Sequence, residues 1–148
     1  MSTIKHYEIT PQGQELLKQI EDELPQIKLL KSDDHGNREY EPNAKLDAKV
    51  MPLLENLELS VREDAIIMSK QLLNIWQNLG YTVWRISNRI TIHNETGPGY
   101  LIPVHISGSP CLTPGGPQKP GSYTYYSVDT ELSPELDCIF LAQHRKGN

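Results

Sequence analysis

"GYTVWRISNRITIH", Gly80 to His93, is where the hydrophobic period of the chain changes. Before it, apolar residues recur every three or four positions. Within it, Trp84, Ile86, Ile90 and Ile92 alternate with Val83, Arg85, Ser87, Arg89, Thr91 and His93. Helical side chains share a face about every 3.6 residues and strand side chains every 2, so the chain stops coiling here and begins to pleat. Asn88 marks a bulge or a tight turn within the stretch.

Working back from Gly80, the sequence predicts a helix over about 61–79. Ser60 and Glu63 form a capping box, which satisfies two backbone donors reciprocally. Val61, Ala65, Met68, Leu72, Ile75, Trp76 and Leu79 follow at helical spacing, and Gly80 stands where a left-handed residue ends a helix. Ile66, Ile67 and Leu73 widen the apolar face. Further back, Asn43 caps a second helical segment, in which Pro52 forces a kink or a fresh start. The loop "KSDDHGNREYEPN" precedes it, without the ordered acid spacing that wraps calcium. A first helix starts at Thr10 and Pro11, carries Leu16, Leu17, Ile20, Leu24 and Ile27 on one stripe, and ends or bends at Pro25.

Working forward, "YLIPVHIS" is a strand that Pro103 places at an edge or a bulge, because proline cannot donate to a ladder. "SYTYYSV" is a strand whose tyrosines divide between two faces. "LDCIFLAQH" is apolar on both faces and reads as an inner strand. The expected fold is therefore α+β: N-terminal helices packed on a mainly antiparallel C-terminal sheet of about four strands. We expect one domain over 1–148, with a helical half at about 8–80 and a sheet half at about 81–145. Between two strands lies "SGSPCLTPGGPQKPGS", residues 107–122, with four prolines and four glycines. Loops of this length are disproportionately functional or mobile.

The chain has 148 residues, 37% hydrophobic and 22% charged, which suits one soluble domain with a real core. A net charge of −5 argues against a nucleic-acid backbone as partner, since such binding needs clustered Lys and Arg. The start, "MSTIKHYEIT", has no leader-like apolar run, and no run approaches membrane-spanning length. With Cys111 and Cys138 as the only cysteines, the expectation is a reducing cytoplasm, no disulfide and no membrane.

Three groups of residues bear on chemistry. On one continuous strand, Arg85, Arg89 and His93 share a face with Ser87 and Thr91, a stripe suited to a phosphate or carboxylate ligand. His105 with Asp129 and Glu131 is the candidate catalytic set, with Asp137 a further acid nearby in sequence. Tyr123, Tyr125 and Tyr126 flank the Pro/Gly segment and suit a partner surface, because tyrosine offers large contact area at small entropic cost. No pair among His93, His105, Cys111, Cys138 and His144 has compact metal-ligand spacing, so neither metal nor cofactor is expected.

Two resemblances accompany these readings. Tyr7 to Leu17, "YEITPQGQELL", is similar to the strand-to-helix junction that closes many winged-helix DNA-binding domains. There a helix-turn-helix precedes the junction; here six residues do. The order of "LGYTVWRI", "NRITIHN" and "GYLIPVHISGS" resembles the core of restriction-endonuclease-like nucleases. That resemblance implies a magnesium nuclease, or a degenerate relative that only binds. The family's metal-binding Asp falls here on Asn88 or Arg89, and its acid-x-Lys pair on Pro103 and His105. Magnesium hydrolysis needs a pair of carboxylates. The expected function is thus a non-enzymatic binding or regulatory module acting through a protein partner or self-association. The alternative is a nuclease-like hydrolase or a nucleic-acid or phosphate binder.

Overall fold

The computed structural model describes residues 4–32, 36–57, 79–93 and 99–143. Helix α1 (Pro11–Glu23) begins as its residues dictate. The Thr10 hydroxyl accepts from the Gly13 N–H at 3.1 Å, and Pro11 takes the first helical position, where no N–H is needed. The helix stops at Glu23, and Pro25 lies in the 3-10 turn Leu24–Gln26 that follows. Helix α2 (Ala44–Asn56) is capped by the Asn43 side chain, which accepts from the Lys45 and Leu46 N–H groups. Pro52 is carried inside α2 and leaves the Ala48 carbonyl without its helical donor. Thr10 ties the two helices by donating to Asn56 Oδ1 at 2.8 Å.

The strands are β1 (Ile4–Glu8), β2 (Leu29–Ser32), β3 (Arg38–Tyr40), β4 (Leu79–Ile86), β5 (Ile90–Ile92) and β6 (Gly99–Ile106), then β7 (Cys111–Thr113), β8 (Gly116–Pro117), β9 (Ser122–Tyr126), β10 (Thr130–Leu132) and β11 (Leu136–Gln143). They form a seven-stranded sheet in the order β1-β9-β6-β11-β4-β3-β2 and a four-stranded sheet in the order β5-β10-β7-β8. Every pairing between them is antiparallel. The α+β class holds, but about four strands is corrected to a main sheet of seven with a second sheet of four. Two strands of the main sheet, β2 and β3, come from the half expected to be helical. Segments such as "IKHYE" and "REY" are too short to show a period; the neighbouring strand's open ladder makes them strands.

The predicted helix over 61–79 lies, up to residue 78, outside the described residues. Its last positions are corrected: Leu79 and Gly80 belong to β4, opposite Gln143 and Ala142, so Gly80 is not a helix cap. The ladder to β11 recruits both residues, and a paired backbone outweighs the local preference of one glycine.

Side chains of the main sheet alternate between two cores. Ile139 and Leu141 of β11 join Val83, Tyr100, Ile102, Tyr123 and Tyr125 against the inner faces of α1 and α2. Leu136 and Cys138 of the same strand join Ile86, Leu101, Leu112, Tyr126 and Leu132, between the two sheets. The layers are thus helices, seven strands and four strands. This is why "LDCIFLA" is apolar at every position but Asp137: both of its faces are covered. The main-sheet order places β6 inside, yet β9 pairs only with Gly99–Leu101, so Pro103 sits beyond it. On the other side a register shift against β11 falls between the partners of His105 and Pro103. Pro103 is tolerated because β6 is locally an edge and bulged there.

The segment 107–122 is not one long open loop. It contains β7 and β8, and Leu112 is fully buried in the second core. Gly116 has φ +110°, which a side chain rarely adopts, so glycine is needed to turn the chain between these strands. His6 of β1 pins the turn through Nε2 to the Gly115 carbonyl at 2.8 Å, and its Nδ1 meets the buried Thr124 hydroxyl at 2.9 Å.

Candidate ligand pocket

The expected arginine stripe requires one continuous strand, and the chain breaks at Ser87–Arg89. The Asn37 side-chain oxygen accepts from both the Ser87 and Asn88 N–H groups, at 2.8 and 2.9 Å, where β4 ends. Beyond that turn, β5 belongs to the small sheet. Arg85 therefore sits on the main sheet and Arg89 in the turn that leads into the small one, each with an acid: Arg85 with Asp137 at 3.1 Å, Arg89 with Glu131 at 3.4 Å. His93 lies 3.6 Å from Asp129. The stripe is neutralised by cross-strand pairing, which explains the arginines without an anionic ligand.

The expected catalytic trio does not gather either. Glu131 and Asp129 are held by Arg89 and His93 at the small sheet, whereas His105 on β6 pairs through Nδ1 with Glu21 of α1 at 2.5 Å. Among the described residues no three His, Cys, Asp or Glu side chains converge to hold a metal. Tyr123, Tyr125 and Tyr126 are no surface patch: they are 0%, 6% and 3% exposed. Tyr7 stacks on Tyr123 at 5.3 Å and Tyr100 meets Tyr125 edge-on at 5.4 Å, because a strand packed on both faces buries its tyrosines whichever way they point. Cys111 and Cys138 are both free thiols, and burial pushes that of Cys138 up.

What the structure does bring together is Arg85 and His105. Both β4 and β6 pair with β11, and Asp137 stands opposite Arg85 on one side and opposite His105 on the other. The three form one row across the centre of the main sheet, at its end. Asp137, 6% exposed, accepts from Arg85 Nε. Arg85 Nη2 donates to the Tyr40 hydroxyl at 2.9 Å, and the guanidinium lies 5.7 Å from the Tyr40 ring centroid. Burial, with the Asp137 charge next, pushes the Tyr40 hydroxyl up to about 12, and Arg85 opposes this. Hydrogen bonding to Asp137 also raises the Arg85 pKa.

Above this row lies a cleft of about 260 Å³ lined by Arg85, Ile86, Ser87, His105, Ser107, Glu135, Leu136 and Asp137. One wall is tied by the Glu135 carbonyl, which accepts from the Ser107 and Gly108 N–H groups, both at 3.2 Å. His105 Nδ1 meets the Glu21 carboxylate, which leaves Nε2 as the second hydrogen-bonding position of the ring. Sequence reasoning named Arg85, Ser87 and His105 but assigned them to different sites, and it passed over Glu21, Tyr40, Ser107 and Glu135. Asp137 carried a legible signal: a lone acid in a buried strand must have a charged partner. No family model, curated protein or solved structure matches the chain, so its chemistry is read from this geometry.

Proposed function

We propose that the chain is a non-enzymatic binding or regulatory module of the cytoplasm that meets a protein partner at the cleft above Arg85, Asp137 and His105. The observation that carries this reading is the row itself. Its charged groups are held in hydrogen-bonded pairs that make a rigid, polar floor, and rigid polar floors suit recognition. The size of the cleft supports a protein partner: at about 260 Å³ it lies below the range of roughly 300–1,000 Å³ usual for small-molecule sites and suits one inserted side chain. The acids of the nuclease reading lie at the small sheet, Asp129 with His93 and Glu131 with Arg89, whereas His105 pairs with Glu21.

The test is affinity capture from the native host with the full chain and with Ser107→Arg, which fills the cleft from an exposed rim position. Each captured protein is then purified and titrated against both. A partner that binds the wild-type chain and is lost on Ser107→Arg, with unchanged far-UV circular dichroism, supports the reading. Magnesium-dependent DNA cleavage by the purified chain, abolished by alanine at His105, Asp129 or Glu131, would replace it with the nuclease reading. Light scattering reports whether the partner is a second copy.

A further inference from the structure

We infer that His6, Thr124 and Gln118 form a proton-sensitive relay, in which the charge of the His6 ring at the surface sets which way the buried Gln118 carboxamide faces. The inference goes beyond the cleft and does not depend on what binds there. It follows from counting protons along side chains that β1, β9 and the segment 107–122 bring together.

The first proton is fixed by chemistry. His6 Nε2 lies 2.8 Å from the Gly115 carbonyl, which can only accept, so Nε2 carries a hydrogen in either charge state. Nδ1 is then a lone pair when the ring is neutral and a donor when it is a cation. It lies 2.9 Å from the hydroxyl of Thr124, which is fully buried and has one proton to give. A neutral ring takes that proton. The Thr124 oxygen then meets Gln118, 3.4 Å away, as an acceptor that needs the carboxamide N–H. A cationic ring donates to Thr124 instead, and the hydroxyl proton turns toward Gln118, where it needs the carboxamide oxygen. The structure holds the orientation that the cation requires: Gln118 Oε1 faces Thr124, and Nε2 is buried without a partner among the described residues. Loss of the His6 proton gives that nitrogen its acceptor. Half a turn about the last bond exchanges oxygen and nitrogen with almost no change of shape, so both states fit the same space. Gln118 is 7% exposed and its backbone N–H holds the Pro110 carbonyl at 3.0 Å, so the relay ends inside the segment that carries β7 and β8. Both bonds of the His6 ring go to neutral groups. The titratable groups on the elements around it are Glu8 on the same face of β1, Tyr126 on β9, and Cys111 and Lys119 in the segment; Lys5 and Tyr7 alternate to the helix side.

The test is side-chain NMR on the 15N,13C-labelled full chain over roughly pH 5–8, where histidine changes charge. The His6 ring should keep its Nε2 hydrogen throughout. The Gln118 carboxamide shifts should follow the His6 midpoint within about 0.2 pH units, and the NOEs from its N–H protons to Thr124 should weaken as pH falls. His6→Gln, at an exposed position, should abolish the Gln118 response, and Thr124→Ser, which keeps the hydroxyl, should preserve it. Thr124→Val should leave His6 titrating while the response at Gln118 is lost. A carboxamide that stays unchanged across the range overturns the inference. So does a response that survives Thr124→Val, which is then only the field of the ring charge, or a neutral His6 that carries its hydrogen on Nδ1. Should Thr124→Val not fold, the wild-type NOEs decide: shifts that move while the NOEs stay constant overturn the relay.

Discussion

Replacing Arg85 by methionine tests the row beneath the cleft most directly. Methionine keeps the aliphatic stem but deprives a carboxylate that is 8% exposed of its counter-charge. An exposed ion pair is worth about 0–1 kcal/mol and the breaking of a fully buried one costs about 3–5. Here the acid is buried while the Arg85 side chain is 48% exposed, so the cost lies between these limits. Loss of the contact between guanidinium and ring adds about 0.5 kcal/mol, for a total of about 2–3. Asp137→Asn should cost only about 1 kcal/mol, because the freed guanidinium can turn to solvent. In the double variant no charge is stranded, so its cost should fall short of the sum by about 1–2 kcal/mol. Urea unfolding with linear extrapolation measures all three, and at m of about 1.5–2 kcal/mol/M the Arg85→Met midpoint drops by roughly 1–2 M. Additivity within about 0.3 kcal/mol, or an Arg85→Met cost below about 0.5, would show that the pair behaves as an ordinary surface contact and that the cleft floor is not rigid.

Three further outcomes are expected. Tyr40 and Tyr126 should ionise above the ordinary tyrosine range in an alkaline absorbance titration, since burial raises both. For Tyr40 the folded value of about 12 exceeds the unfolded 10.0. The stability this contributes is therefore complete below pH 10 and is lost as pH rises through 12. Seven tyrosines titrating together while circular dichroism stays native would contradict this burial. Leu112→Ala should cost about 2–5 kcal/mol in urea unfolding, although it lies in the proline- and glycine-rich segment; a change under about 0.5 would mean that the segment is not part of the second core. At Gly108 an added Cβ would lie 2.9 Å from the Glu135 backbone nitrogen, so Gly108→Ala should push the two cleft walls apart. Its signature is altered amide shifts at Ser107 and Glu135, with the shifts of α1 and α2 unchanged.

The chain's local physics is written in its residues. Thr10 with Pro11, and Asn43, announce two helix starts because a capping bond depends on neighbours within four positions. The alternation after Gly80 and the two-sided apolarity of "LDCIFLA" announce β4 and β11, since a strand covered on both faces has no polar side to show. The short strands β2, β3, β7 and β8 were not legible, because two to four residues carry no period of their own.

The site divides along the same line. His105 and Arg85 stood out as reactive or charged residues within strands, which chemistry alone permits one to notice. Only the tertiary structure decides what they do. Asn37 ends β4 and parts Arg85 from Arg89, the small sheet carries Glu131 and Asp129 away from His105, and Asp137 draws Arg85 and His105 into one row. Electrostatic and hydrogen-bonding roles depend on distances of a few ångströms between groups as many as 84 positions apart. Sequence supplies the groups, and the register of β11 against its two neighbours supplies the distances.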